Sequence, residues 1–427
     1  MNQKSKEIES IYPLSPLQQG LLFHSLSTPD YDMYFQNSSY KLHGHLNLHN
    51  FEKAWQTVVS RHAVLRTLFI WEDYQKPLQI VCKSVNLPWE NYDWRDLSPV
   101  EQQAAVETFL QADREKGFQL DRAPLMRCSV IRLADDIYEF VWSHHHLLID
   151  GWSSSTILKE IFALYEANDK EENLYLPLPR PYKDYVTWLQ QQDLALAETF
   201  WQRTLQGFTA PTQFGDKSGS NLSNSKDNYG VQQIRLSMAV TKDLQALVKK
   251  YRLTLNTLMQ GAWGLLLHHY SGQSTVVFGT TVSGRPANLI GVESMVGLFI
   301  NTLPVCAKIS RAADLVTWLQ ELLAQQVERE QYAYSSLVDI QKWSELPRGS
   351  SLFESLLVFE NYPEISPQEH FKNLEISNSH FFERNNYPLT ILAETSPELS
   401  LGIGYDSCRF DDATIAQILE HLQKLLL

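Results

Sequence analysis

Residues 137–153 constrain this chain more tightly than any other stretch. An apolar, β-like segment, Ile137-Tyr138-Glu139-Phe140-Val141-Trp142, runs into Ser143-His144-His145-His146. The chain then turns at Asp150-Gly151 into a helical pattern. A strand needs no row of histidines, and a core pays to desolvate them. A ring nitrogen that titrates near neutrality at the end of a rigid strand suits proton transfer. Side chains on a strand alternate faces, so Phe140, Trp142, His144 and His146 would share one face and His145 would take the other. Three adjacent rings therefore cannot reach one ion, and no HExxH-type spacing supplies a further ligand, so no metal site is expected.

The neighbours of the histidines carry open alternatives. His145 is read as a hydrogen-bonding support for the turn. Asp150 is either a base orienter or, by preference, a carboxylate in a buried ion pair. Gly151 would permit positive φ and close backbone approach to a ligand. Ser153 or Ser154 would cap the following helix. A serine nucleophile would want a GxSxG elbow, which this stretch lacks.

The chain has 427 residues, enough for two cores, and a boundary is expected in the proline-rich Leu176-Pro177-Leu178-Pro179-Arg180-Pro181. This divides the chain into 1–178 and 179–427. In the first part Ser15 caps a helix with Pro16 at its first position, residues 34–46 read as a strand, and Asn50 caps a helix over 51–62. A strand over 64–70, a helix over 100–116, paired strands over 125–133 and 137–143, and a helix over 154–167 follow. The second part begins with a helix over 182–206. A loop over 209–230, helices over 240–250 and 254–270, and a strand over 275–282 come next. The alternation is irregular, which predicts an α/β chain with a mixed sheet in each part rather than a doubly wound parallel sheet.

Net charge is −13, which argues against nucleic acid as a partner. The four cysteines are scattered without a CxxC, as in a reduced, cytoplasmic protein. No window approaches the length of a membrane span, and the first ten residues are too polar for a signal peptide.

His145-His146-Leu147-Leu148-Ile149-Asp150-Gly151 matches HHxxxDG, and on this motif the chain resembles the condensation domains of nonribosomal peptide synthetases. Supporting stretches occur in the family's order. They are residues 14–26, Arg61-His62-Ala63-Val64-Leu65-Arg66-Thr67, Tyr182-Lys183-Asp184-Tyr185, Ser283-Gly284-Arg285-Pro286, Val296-Gly297-Leu298-Phe299-Ile300-Asn301-Thr302-Leu303-Pro304, Asn386-Tyr387-Pro388-Leu389 and residues 405–410. The resemblance implies two chloramphenicol-acetyltransferase-like lobes forming a V around a central tunnel. It implies an enzyme that joins a donor aminoacyl or peptidyl thioester to an acceptor aminoacyl thioester. Both would be tethered to phosphopantetheine arms of carrier proteins, beside an adenylation domain. The chain would need no cofactor or metal of its own and would be a monomer as an isolated domain, one part of a larger module.

By the same resemblance His146 is the key side chain, either as general base or as the group that positions the amine. His145, Asp150 and Gly151 complete the motif, with a backbone N–H near Gly151 meeting the oxyanion. Asp150 is expected to pair with Arg285 across the lobes. Arg61, Arg66, Trp152 and Asn301 are expected to support the site, Asn301 from the tunnel floor. The opening Ser-Pro-Leu-Gln-Gln-Gly and the Asp-Gly-Trp turn resemble domains that accept a D-configured donor. A silent carrier-docking module, or an acyltransferase that releases product onto a small alcohol or amine, are the competing readings.

Overall fold

The computed structural model describes residues 8–28, 33–72, 74–212, 214, 229–310, 314–361, 374–395 and 397–427. The order begins β1 (Ile8–Pro13), α1 (Pro16–Ser27), β2 (Phe35–Gly44), α2 (Leu48–Arg61), β3 (Thr67–Ile70), β4 (Leu78–Cys82) and β5 (Trp89–Asp93). It continues with α3 (Pro99–Lys116), β6 (Met126–Arg132), β7 (Ile137–His145), α4 (Gly151–Asp169), α5 (Tyr182–Gln190) and α6 (Leu194–Thr204). Next come β8 (Tyr229–Arg235), α7 (Met238–Tyr251), α8 (Leu255–Ser271), β9 (Thr275–Val282), β10 (Asn301–Lys308), α9 (Leu315–Glu330) and α10 (Leu337–Trp343). Strands β11 (Ser355–Glu360), β12 (Leu374–Glu383), β13 (Leu389–Thr395) and β14 (Leu399–Asp406) precede the final helix, Asp412–Leu426.

Two compact units emerge, and neither is a continuous piece of chain. The first gathers residues through Gln191, Arg285–Phe299 and the described part of 362–385; the second gathers Gln192–Gly284, Ile300–Asn361 and Asn386–Leu427. A single cut at 178/179 does not describe this, because sheet pairing returns β12 to the first unit long after the chain has left it.

In the first unit, β12-β2-β7-β6-β5 form a five-stranded sheet and β1-β4-β3 a smaller one. The β5–β6 pairing is parallel and the others in the larger sheet are antiparallel. Helix α2 lays Phe51, Ala54, Trp55, Val58 and Val59 into the core, the face its sequence period marks. Phe51 meets Phe140 edge-on with centroids 5.0 Å apart, and Trp55 meets Trp142 at 5.0 Å. These aromatic pairs fix which face of β7 is buried against the helix.

The second unit holds a six-stranded mixed sheet, β10-β9-β11-β13-β14-β8, with parallel pairings of β11 to β9 and β13. Its core joins Trp263, Phe278, Ile391 and Ile403 with Ile415 and Leu422 of the final helix. The mixed sheets agree with the irregular alternation of the sequence.

Several local expectations shift. Asn47, not Asn50, caps α2 by accepting from the Asn50 N–H. Residues 63–66 form a 3-10 turn ahead of β3. The helix expected over 182–206 is two, broken before Asp193, which caps α6. Most of the loop expected over 209–230 lies outside the described residues. No helix among the described residues is long and apolar enough to cross a membrane.

Candidate active site

Strand β7 ends at His145, so only His146 lies beyond its alternating pattern. His144 stays in the strand and stacks on Trp142 with centroids 4.6 Å apart. Neither of its ring nitrogens has a hydrogen-bond partner among the described residues. His145 holds the turn: the Leu147 N–H donates to its Nδ1 at 3.2 Å, and its Nε2 lies 3.4 Å from Ser25 Oγ. That assigns the proton of the neutral ring to Nε2.

His146 has the opposite tautomer. Its backbone N–H donates to Tyr34 O at 2.8 Å, and its Nδ1 lies 2.8 Å from Ile149 O. A carbonyl oxygen can only accept, so Nδ1 carries the hydrogen and Nε2 keeps its lone pair. The ring is pre-oriented by a bond within its own turn. Its side chain retains 9% exposure, while Leu147, Leu148 and Ile149 are fully buried anchors. Gln18 of α1 ties the turn further by donating to Leu147 O at 2.9 Å.

Asp150 is the N-cap of α4, in place of the serines that follow it. Its Oδ1 accepts from the Ser153 N–H at 2.9 Å, and its Oδ2 from the Phe299 N–H at 2.9 Å. Arg285 Nη2 lies 3.4 Å from Oδ1 and donates to Ser153 Oγ at 3.0 Å. The guanidinium also donates to Met295 O and sits 3.9 Å over the Phe299 ring. Burial pulls the Arg285 guanidinium below its ordinary value, and Asp150 opposes that pull. The pair forms inside the first unit, because Arg285–Phe299 is grouped there, rather than across two lobes. Both Asp150 oxygens are thus taken up, Oδ1 by Ser153 N–H and Arg285 and Oδ2 by Phe299 N–H.

Gly151 is helical at the head of α4 and does not use the left-handed region. The glycine that geometry requires is Gly297. Its carbonyl accepts from Asp150 N and Ser153 Oγ, and a Cβ there would run into the Tyr182 ring. Trp152 donates to Glu293 O at 3.3 Å and tethers the same segment.

The remaining expected supports are held by other partners. Arg61 ends α2 and pairs with Glu160 of α4 at 3.1 Å, alongside His62. Arg66 pairs with Glu9 at 2.7 Å and donates to Lys83 O, clamping the end of β4. Asn301 spends its amide on Ala333 O and Ser335 O, each at 2.8 Å, in the second unit. In each case a nearer backbone or carboxylate partner claims the side chain.

One residue that sequence reasoning did not single out does reach the site. Glu383, the last residue of β12, places Oε1 3.6 Å from His146 Nε2. Its other oxygen accepts from Gln36 Nε2 at 2.8 Å. No spacing in the sequence announces this, because only the β12–β2–β7 pairing brings the two ends together.

Burial pushes His144 and His145 down to about 3, helped by the charge of His146. The unfolded chain takes up these protons near pH 6.5, whereas the native protein does not until near pH 3. Stability is therefore full above about pH 6.5 and falls with acidification, by up to about 1.4 kcal/mol per pH unit for each ring. Thermal melts between pH 7.5 and 4.5 should show this slope. His144→Phe, which keeps the stack on Trp142, should remove about half of the slope and leave the share of His145, and an unchanged slope would count against the assignment.

The condensation-domain family model matches residues 8–427. Over 98% of its length the chain is 43% identical to one of the linear gramicidin synthase proteins of Brevibacillus parabrevis, of which it spans 8%. It is 34% identical over its whole length to surfactin synthase subunit 3 of Bacillus subtilis (strain 168), of which it spans 34%. Its fold is like that of the starter condensation domain of rhizomide synthetase, solved with C8-CoA and Leu-SNAC. The TM-score is 0.83 at 17% identity, covering 97% of this chain and 94% of that one. The chain belongs to the condensation-domain family. The family includes condensation domains of nonribosomal peptide synthetases, and the gramicidin and surfactin synthase relatives named above are far longer proteins of which this chain spans one part.

Proposed function

We propose that His146 is the catalytic residue of this condensation domain, acting through Nε2 on the amine of an aminoacyl thioester. The donor is an aminoacyl or peptidyl thioester, and both substrates arrive on phosphopantetheine arms of carrier proteins in the cytoplasm. An adenylation domain is the expected neighbour. The amine lone pair attacks the donor carbonyl, the new C–N bond forms, and the C–S bond breaks with its electron pair leaving on sulfur. The amine proton passes to His146 Nε2 and from there to the departing thiolate. Backbone N–H groups at the head of α4, Gly151 among them, face the oxyanion of the tetrahedral intermediate. A thioester is already activated, so holding two tethered reactants in attack geometry supplies much of the remaining acceleration.

The observation that carries this reading is the Nδ1 bond to Ile149 O, which leaves Nε2 as the only basic nitrogen of the neutral His146 ring. The test loads donor and acceptor carrier proteins with L- or D-configured donors and adds the domain. Intact-protein mass spectrometry should show a dipeptidyl thioester on the acceptor carrier. Product no faster than in the absence of the domain, with either donor, would refute the reading.

A further inference from the structure

We propose that Glu383 is a second substrate-contacting residue, which binds the acceptor amine jointly with His146. The inference rests on the condensation reading above. Glu383 Oε1 and His146 Nε2 are 3.6 Å apart. A nitrogen about 2.9 Å from each completes a triangle with ordinary hydrogen-bond sides. An amine placed there gives one N–H to the carboxylate and one to the imidazole.

The carboxylate is built into the fold rather than draped over it. Glu383 is paired in register with Gln36, and Gln36 with His144. Gln36 is buried and holds Oε2 at 2.8 Å, which aims Oε1 at the ring. Backbone bonds lock the same row: Tyr34 N donates to Arg384 O at 2.9 Å, and His146 N donates to Tyr34 O at 2.8 Å. The side chain of Glu383 keeps 27% exposure, so a ligand can reach it. Two roles follow. Before attack the carboxylate selects a substrate that carries an amine. After attack its negative charge stabilises the imidazolium that forms when Nε2 takes the proton. The proton balance of the reaction is unchanged, since Glu383 accepts hydrogen bonds throughout.

Substituting the isostere makes a test that packing alone would not pass. In Glu383→Gln the single amide oxygen stays with Gln36, because Gln36 Nε2 needs an acceptor. The new NH2 group then points at His146 Nε2 and occupies its lone pair. Glu383→Ala merely vacates the position. Both variants should melt close to the parent and lose at least 10-fold in kcat/KM for the acceptor, with Glu383→Gln no faster than Glu383→Ala. A purely structural role predicts the reverse order, with glutamine restoring wild-type rates, and that result would overturn the proposal.

A binding arm is independent of turnover. Leucyl-N-acetylcysteamine thioester and its deaminated analogue, 4-methylpentanoyl-N-acetylcysteamine thioester, are titrated calorimetrically into each protein. The parent should prefer the amine by at least 10-fold, and Glu383→Ala should bind the two within about 3-fold. Equal preference in parent and variant overturns the role of Glu383. Absence of dipeptide with the amine preference intact would instead count against the condensation reading alone.

Discussion

Asp150→Ala is expected to destabilise the protein by about 3–5 kcal/mol, the largest stability loss of any single change in the motif. The side chain is fully buried, and three donors depend on it: the Ser153 and Phe299 N–H groups and the Arg285 guanidinium. Alanine strands a buried cation and two buried N–H groups, and also removes the cap of α4. Urea unfolding at pH 7.5 measures the loss. The double variant Asp150→Leu with Arg285→Met should recover a large part of it, because neither charge is then left alone. A loss below about 1 kcal/mol for Asp150→Ala would show that the clamp does not hold the segment 285–299. Any fall in activity of Asp150→Ala should track the unfolded fraction, in keeping with a carboxylate whose oxygens are taken up by α4 and the segment 285–299.

His146→Ala should behave in the opposite way. Condensation should drop by about 10²–10⁴-fold, the range of a positioned acid–base group. Melting should change little, since the imidazole closes only a bond to Ile149 O and faces Glu383. Single-turnover assays with loaded carriers, read beside a thermal melt, separate the two effects. His145→Ala is the contrasting control. Its ring accepts the Leu147 N–H and meets Ser25, so its loss should lower the melting temperature and disturb the turn that carries its neighbour. Equal turnover by His146→Ala and the parent would remove His146 from the chemistry.

Much of this was legible along the chain because it is local. The apolar run over 137–142, the Asp-Gly turn and the helical period after it name a strand, a turn and a helix, and the structure places β7 and α4 there. The supporting bond of His145 is also local, spanning two residues. Capping was read one turn off for both α2 and α4, since Asn, Asp and Ser compete for the same role within a few residues. Arg61, Arg66 and Asn301 stand in recognisable motifs, yet each is claimed by a partner remote in sequence: Glu160, Glu9 and the carbonyls of Ala333 and Ser335.

Periodicity and turn chemistry, properties of neighbouring residues, were thus enough to place an imidazole at the end of a buried strand and to class the fold. The carboxylate opposite that imidazole was not available from any such pattern. Glu383 reaches it because β12 leaves the rest of the later chain and pairs with β2 in the first unit's sheet. Strand pairing between distant segments is selected by the packing of the whole sheet, and no window of sequence contains that choice.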